Sequence, residues 1–212
     1  MNVYEPGNVR NILLVGHSGA GKTTLTEGLV FAAGAVTRMG KVEDGNTVSD
    51  HDAEEIRRGI SVSLSLAPVE WNGVKINVLD APGYADFIGD VRGGLRAADA
   101  CLFVVSAVDG VEVQTEVVWE LAAEAGLPRA IFVNKIDRER ASFDRTLDGL
   151  VAATEQPKSR LCTACFSGEY PIELPEDALI GKHLLESLDS VNGAATPVSP
   201  AGYGAEDAVR RP

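Results

Sequence analysis

The chain has 212 residues, enough for one ordinary domain and a remainder, and its 45% hydrophobic content excludes wholesale disorder. Nineteen Lys and Arg against 31 Asp and Glu give a formal charge of -12, which argues against DNA or other nucleic acid held by broad phosphate contacts. Apolar runs such as Ala100 to Val105 are too short to span a bilayer. The first residues, Met1-Asn2-Val3-Tyr4-Glu5-Pro6, lack the basic-then-apolar order of a secretory leader, so no membrane partner and a cytoplasmic location are expected. Three cysteines, an odd count, argue against a disulfide framework and suit a reducing compartment.

In chain order, Asn11 to Val15 reads as a buried strand. Leu25, Leu29, Val30 and Ala33 mark the apolar face of a following helix. Residues 34–59 are Gly-rich and charged without a period and are expected to form a long loop. Val62, Leu64 and Leu66 alternate with serines as in a half-buried strand, and Asn72-Gly73 turns it into a second strand, Val74 to Leu79. Phe87, Val91 and Leu95 predict a helix, Ala100 to Val105 a buried strand, and Val113, Val117, Val118, Leu121 and Ala125 another helix. Arg129 to Val133 is a further strand, and Phe143, Leu147 and Leu150 indicate a last helix. Alternating strands and helices imply an α/β three-layer sandwich with a mostly parallel sheet, whose ligands sit beyond the carboxyl ends of the strands. No strand is legible after Asp137. Six of the ten prolines fall in the last 65 residues, and 191–212 reads as a disordered tail.

Three motifs fall at those strand ends. Gly16-His17-Ser18-Gly19-Ala20-Gly21-Lys22-Thr23 fits G-x-x-x-x-G-K-[ST] between a strand and a helix. His17, Ser18, Gly19, Ala20, Gly21, Lys22, Thr23 and Thr24 are candidate phosphate-cradle residues, with the His17 side chain expected to face solvent. Lys22 supplies charge for the outer phosphates, and the Thr23 hydroxyl can ligate Mg²⁺. Asp80-Ala81-Pro82-Gly83 offers a carboxylate for Mg²⁺ and, at Gly83, an N–H for a terminal phosphate. In Asn134-Lys135-Ile136-Asp137, the Asp137 carboxylate can accept from both N1–H and the 2-amino group of guanine, which adenine does not match. The Lys135 stem can lie over the base. Trp71, Trp119 and Cys101 are read as packing residues, and Arg57-Arg58 as a solvated pair or a phosphate or partner contact.

With Arg58-Gly59-Ile60-Ser61-Val62, Asp80 to Phe87 and Asn134 to Arg138, residues 9–147 resemble the start of a translational GTPase, nearest to elongation factor G and its elongation-factor-G-like relatives. The resemblance implies a P-loop fold over 1–147, Mg²⁺-dependent binding of GTP and GDP, hydrolysis of GTP, and the ribosome as partner of the parent family. It implies catalytic roles for Lys22, Gly83 and the residue at Tyr84, and metal ligands at Thr23, Ser61 and Asp80. Two positions depart from the family pattern, and so does the chain after Asp137, where the family's next strand and guanine-contacting loop are not legible and the sheet is expected to stop before its last strand and helix. Ser61 stands where Thr is usual and keeps the hydroxyl. Tyr84 stands where a water-orienting His is usual, and a phenol does not offer imidazole's proton chemistry near neutral pH, so slow hydrolysis is expected. A non-catalytic GTP-holding module is the alternative, and a fusion without function another. The segment 148–190 resembles the C-terminal end of amidophosphoribosyltransferase through Leu161 to Phe166, Gly168 to Pro171 and Gly181 to Glu186. That resemblance implies two iron–sulfur ligands at Cys162 and Cys165, whereas two thiols alone fall short of the four a zinc or cluster site needs.

Overall fold

A computed structural model describes residues 2–50, 52–156 and 163–165. The elements are β1 (Val9–Val15), α1 (Lys22–Ala32), α2 (Ala53–Arg58), β2 (Ser65–Trp71), β3 (Val74–Asp80), α3 (Ile88–Ala97), β4 (Ala100–Ser106), α4 (Val113–Glu124), β5 (Arg129–Asn134), α5 (Phe143–Thr154) and β6 (Thr163–Cys165). Two compact units divide the chain: Met1–Val104 with Glu112–Arg129, and Val105–Val111 with the chain from Ala130 onward. No helix among the described residues is long and apolar enough to cross a membrane.

The first unit carries strands in the order β2-β3-β1-β4. β2 and β3 are antiparallel, joined at Asn72-Gly73, where both residues take the positive φ (47° and 81°) of a tight hairpin. β1 runs parallel to β3 and to β4. This parallel centre is buried on both faces. Leu13 pairs with Cys101 and Val15 with Phe103, so these four point one way. Over that face lie α3, through Gly94 on Leu13, and α4, through Trp119 edge-on to Phe103 at 4.9 Å. Leu14 and Val104 point the other way and are also fully buried. Trp119 is held further by the Arg129 guanidinium over its ring at 4.3 Å. Cys101 is buried, as its packing role required, and burial pushes its thiol up to about 12. Trp71 is half-exposed on β2 and does not pack as expected.

The helices differ from their apolar patterns in an informative way. α1 buries Lys22, Thr26, Glu27 and Val30, while Leu29 reaches solvent. Its inner face is polar because it meets backbone donors. Glu27 accepts from Gly40 N–H (2.9 Å) and Val48 N–H (2.5 Å). α4 buries Thr115, Val118, Trp119 and Ala122, leaving Val113 and Val117 exposed. The expected loop over 34–59 contains α2. Its start is fixed by a capping box in which Asp52 accepts from Glu54 N–H and Glu55 accepts from Asp52 N–H. The other oxygen of the buried Glu55 accepts from Val62 and Ser63 N–H. Those bonds hold 62–63 outside any ladder, so β2 begins at Ser65 rather than at Val62.

In the second unit β5 and β6 are parallel, with Ile131, Phe132 and Val133 opposite Thr163, Ala164 and Cys165. This corrects the expectation that no strand follows Asp137. α5 is capped by the Ser142 hydroxyl, which accepts from Arg145 N–H. It runs unbroken through residue 147. Cys162 and the supposed tail at 191–212 lie outside the described residues.

α3 holds three glycines with different surroundings. A Cβ on Gly89 or Gly93 would meet open space, whereas one on Gly94 would come within 2.6 Å of Leu13 Cδ1 in the core. Alanine at 89 or 93 is therefore expected to raise unfolding stability by about 0.5–1 kcal/mol. Gly94→Ala should lower it by about 1–3 kcal/mol through overpacking. Urea titrations of the three single variants check the opposite signs.

Candidate functional site

The phosphate loop owes its path to glycines at φ 141° (Gly16), 78° (Gly19) and 101° (Gly21). A side chain on Gly16 would strike the Val104 carbonyl. Gly21 caps α1, whose first residue is Lys22. The Lys22 ammonium is 6% exposed and donates to the carbonyls of Gly16 (2.9 Å) and His17 (3.0 Å). An ammonium has three donors, so one remains for a ligand. Burial lowers this group's pKa to about 8, only partly opposed by Asp80. Ser18 and Ala20 line the loop, and Thr24 is exposed on the first turn of α1. His17 does not simply face solvent, because its Nε2 lies 2.9 Å from Glu112.

Beside Lys22, three expected metal residues converge. Thr23 Oγ1 donates to Asp80 Oδ2 at 2.8 Å, and Ser61 Oγ donates to Asp50 Oδ1 at 2.8 Å. The two hydroxyl oxygens are 3.1 Å apart. That separation lets one hydroxyl donate to the other, and each keeps a lone pair for a ligand. Asp80 is 1% exposed, and among the described residues its Oδ1 has no hydrogen-bond partner. Hard oxygens with unshared lone pairs, backed by two carboxylates, are the donor set Mg²⁺ takes, so the residues fit this ion. Asp50 escaped the sequence reading. It lies eleven residues before Ser61, with no motif to mark it. Burial raises the Asp80 pKa to about 6, partly offset by the Thr23 bond and Lys22, and burial also raises that of Asp50.

Gly83 closes this end. A Cβ there would lie 2.5 Å from Lys22 Nζ and 2.6 Å from Ser18 N, so the D-x-x-G turn rests directly on the loop. Tyr84 starts the short 3₁₀ turn Ala85–Phe87 and is 42% exposed. Arg57 and Arg58 are taken up by Glu54 on their own helix, as a solvated group.

In the second unit, Asn134 ends β5 and its carbonyl accepts from Ala107 N–H at 2.8 Å. Lys135 follows at φ 62°. It lines an open cavity of about 560 Å³ with Val108, Asp109, Arg138 and Glu139. The Asp109 carboxylate is held by the Ser106 hydroxyl at 2.7 Å. The Asp137 side chain is 80% exposed, with Arg138 Nε at 3.7 Å. Val108 and Asp109 were missed as cavity residues, since only the fold brings them beside Lys135.

A strand–glycine loop–helix with a buried lysine, in a mostly parallel α/β fold, defines a P-loop nucleotide-binding protein. The family model described as elongation factor Tu GTP binding domain matches residues 7–194, and the chain belongs to that family. It is 42% identical over 197 residues to an elongation factor G-like protein of Mycobacterium tuberculosis, covering 92% of this chain and 26% of the relative. It is 37% identical over 203 residues to a mitochondrial ribosome-releasing factor 2 of Debaryomyces hansenii, covering 94% of this chain and 24% of the relative. A crystal structure from Thermus thermophilus superposes with a TM-score of 0.66 at 44% identity, over 69% of this chain and 22% of that one. The chain thus spans about a quarter of the length of these curated relatives. The family match continues through 148–190, and a link of that segment to amidophosphoribosyltransferase finds no support in the comparisons.

The buried carboxylate makes the ion-free protein pH-sensitive. Folded Asp80 holds its proton to about pH 6, whereas an unfolded Asp releases it near ~4. In nucleotide-free protein with chelator, stability is expected to fall as pH rises from about 4 to 6, by on the order of 2–3 kcal/mol. Asp50 adds in the same direction. Asp80→Asn should flatten most of this fall, measured by denaturant midpoints across that range.

Proposed function

We propose that the chain binds GTP and GDP with Mg²⁺ and hydrolyses GTP slowly, as the nucleotide-binding part of an elongation-factor-G-type translational GTPase. The observation that carries this reading is the convergence of the Thr23 and Ser61 hydroxyls, 3.1 Å apart, with the buried Asp80 carboxylate that Thr23 bonds, beside a buried lysine. Loop N–H groups from His17 to Thr24 and the free donor of Lys22 hold the phosphates. Thr23, Ser61 and Asp80 hold Mg²⁺, which supplies charge neutralisation on the phosphate oxygens. The Gly83 N–H meets the terminal phosphate, where it and Lys22 stabilise the charge that develops. In the reaction a water oxygen bonds to the terminal phosphorus as the bond to the bridging oxygen breaks, leaving GDP and phosphate. Asn134, Lys135 and Asp137 select guanine. Slow turnover follows from Tyr84, which lacks the imidazole that would orient the water. The ribosome as partner is supported by the name of the ribosome-releasing relatives. A free buried thiol at Cys101 suits a reducing compartment, and we place the chain in the cytoplasm.

Calorimetry with Mg²⁺ should show GTP bound and ATP bound weakly or not at all. Asp137→Asn should cost GTP on the order of 10³-fold in affinity, because it removes both base bonds. Equal affinity for the two nucleotides would overturn the assignment. Single-turnover phosphate release should be slow in the wild type. Tyr84→His is expected to raise it by about tenfold or more without changing GTP affinity beyond about twofold.

A further inference from the structure

Lys22 has two protein acceptors, and they are fixed in different ways. The Gly16 carbonyl belongs to a buried residue pressed against the Val104 backbone, so packing holds it. The His17 carbonyl accepts from both Lys22 Nζ (3.0 Å) and Ala20 N–H (3.3 Å), in the part of the loop that leaves the sheet. What ties residue 17 down is its side chain, with Nε2 at 2.9 Å from the Glu112 carboxylate. Glu112 occupies the N-cap position of α4. Its side chain makes no capping bond to the helix and reaches to the loop instead. Both side chains are about one third exposed, so the pair adds little to stability. Its effect is on geometry.

We propose that Glu112 and His17 are positioning residues for Lys22: the carboxylate at the start of α4 fixes the His17 imidazole, and the His17 carbonyl thereby fixes the ammonium that meets the phosphates. The chain of contacts runs from a rigid helix to a loop whose own glycines leave it otherwise free to move. Loss of the tether releases one of the two bonds that aim the remaining donor of Lys22. The inference rests on the phosphate-binding reading above, but not on the base that is recognised.

The test uses the full chain with two probes, inorganic pyrophosphate and GTP, each with Mg²⁺. Glu112→Ala and His17→Ala are each expected to weaken pyrophosphate and GTP by about fivefold or more. The double variant should be no weaker than either single one, because the two side chains act as one tether. Glu112→Gln keeps an oxygen acceptor for Nε2–H and should stay within about twofold of wild type. Thermal midpoints should be unchanged in all four, which separates aiming from folding. Unchanged affinity in Glu112→Ala, additive losses in the double variant, or equal losses in Glu112→Gln and Glu112→Ala would each overturn the inference. So would a wild-type chain that does not bind pyrophosphate. Pyrophosphate binding without preference for GTP over ATP would instead overturn the guanine assignment and leave the variants to decide the tether.

Discussion

Two opposite charges sunk at the end of the central strands govern this structure. Lys22 and Asp80 are almost wholly out of water, and each is shifted toward its neutral form by that burial. Desolvating either alone would be costly, and the protein offsets the cost locally. Two carbonyls take the ammonium, and one threonine hydroxyl takes one carboxylate oxygen. The offset is incomplete, since among the described residues Asp80 Oδ1 and one Lys22 donor have no hydrogen-bond partner. A ligand that brings negative oxygens to the lysine and positive charge to the aspartate completes both at once. That is the physical content of a nucleotide–metal site, and the position of β1, β3 and the loop glycines serves to hold these two groups in place.

The segment between α1 and β2 follows from the same economy of buried polar groups. It has few apolar residues, so its order comes from carboxylates that collect backbone donors. Glu27 takes two N–H groups, and Glu55 takes three while also capping α2. Ser65 adds a hydroxyl bond to the Ser49 carbonyl. Gly40 is required beneath Glu27 because a Cβ would meet the Glu27 carboxylate and the Asn46 carbonyl, both at 2.6 Å. This web delivers Asp50 and Ser61 to Thr23.

Most of the strands were legible because a parallel sheet buried on both faces writes continuous apolar runs, as in Leu13 to Val15 and Phe103 to Val105. The three motifs were legible because each keeps a fixed local spacing at a strand end. Helix faces were read less well. α1 turns Thr26 and Glu27 inward, Thr26 donating to the Lys22 carbonyl and Glu27 accepting from backbone N–H groups, which no hydrophobic period reveals. α2 lay behind a capping signal, Asp52 with Glu55, in a stretch without apolar periodicity. Asp50, Asp109 and Glu112 belong to no local pattern, since each gains its role from a partner that the fold brings near. β6 is three residues long and lacks the β-branched run that marks β4 and β5. The same weakness of signal let 148–190 be assigned to another enzyme.

The Glu27 anchor bears on how tightly a ligand can be held. Freezing a residue's backbone costs roughly 1–2 kcal/mol of conformational entropy. Ser61 sits far beyond Glu27 in sequence, and a loop of that length ordered only by contact with a ligand would drain much of the binding energy. The bonds from Gly40 and Val48 to Glu27 impose that order from inside the protein, before any ligand arrives. The bonds from Asp52, Val62 and Ser63 to Glu55 carry the same order on to the residues around Ser61, and affinity that would go into ordering this segment stays available for discrimination between one ligand and another.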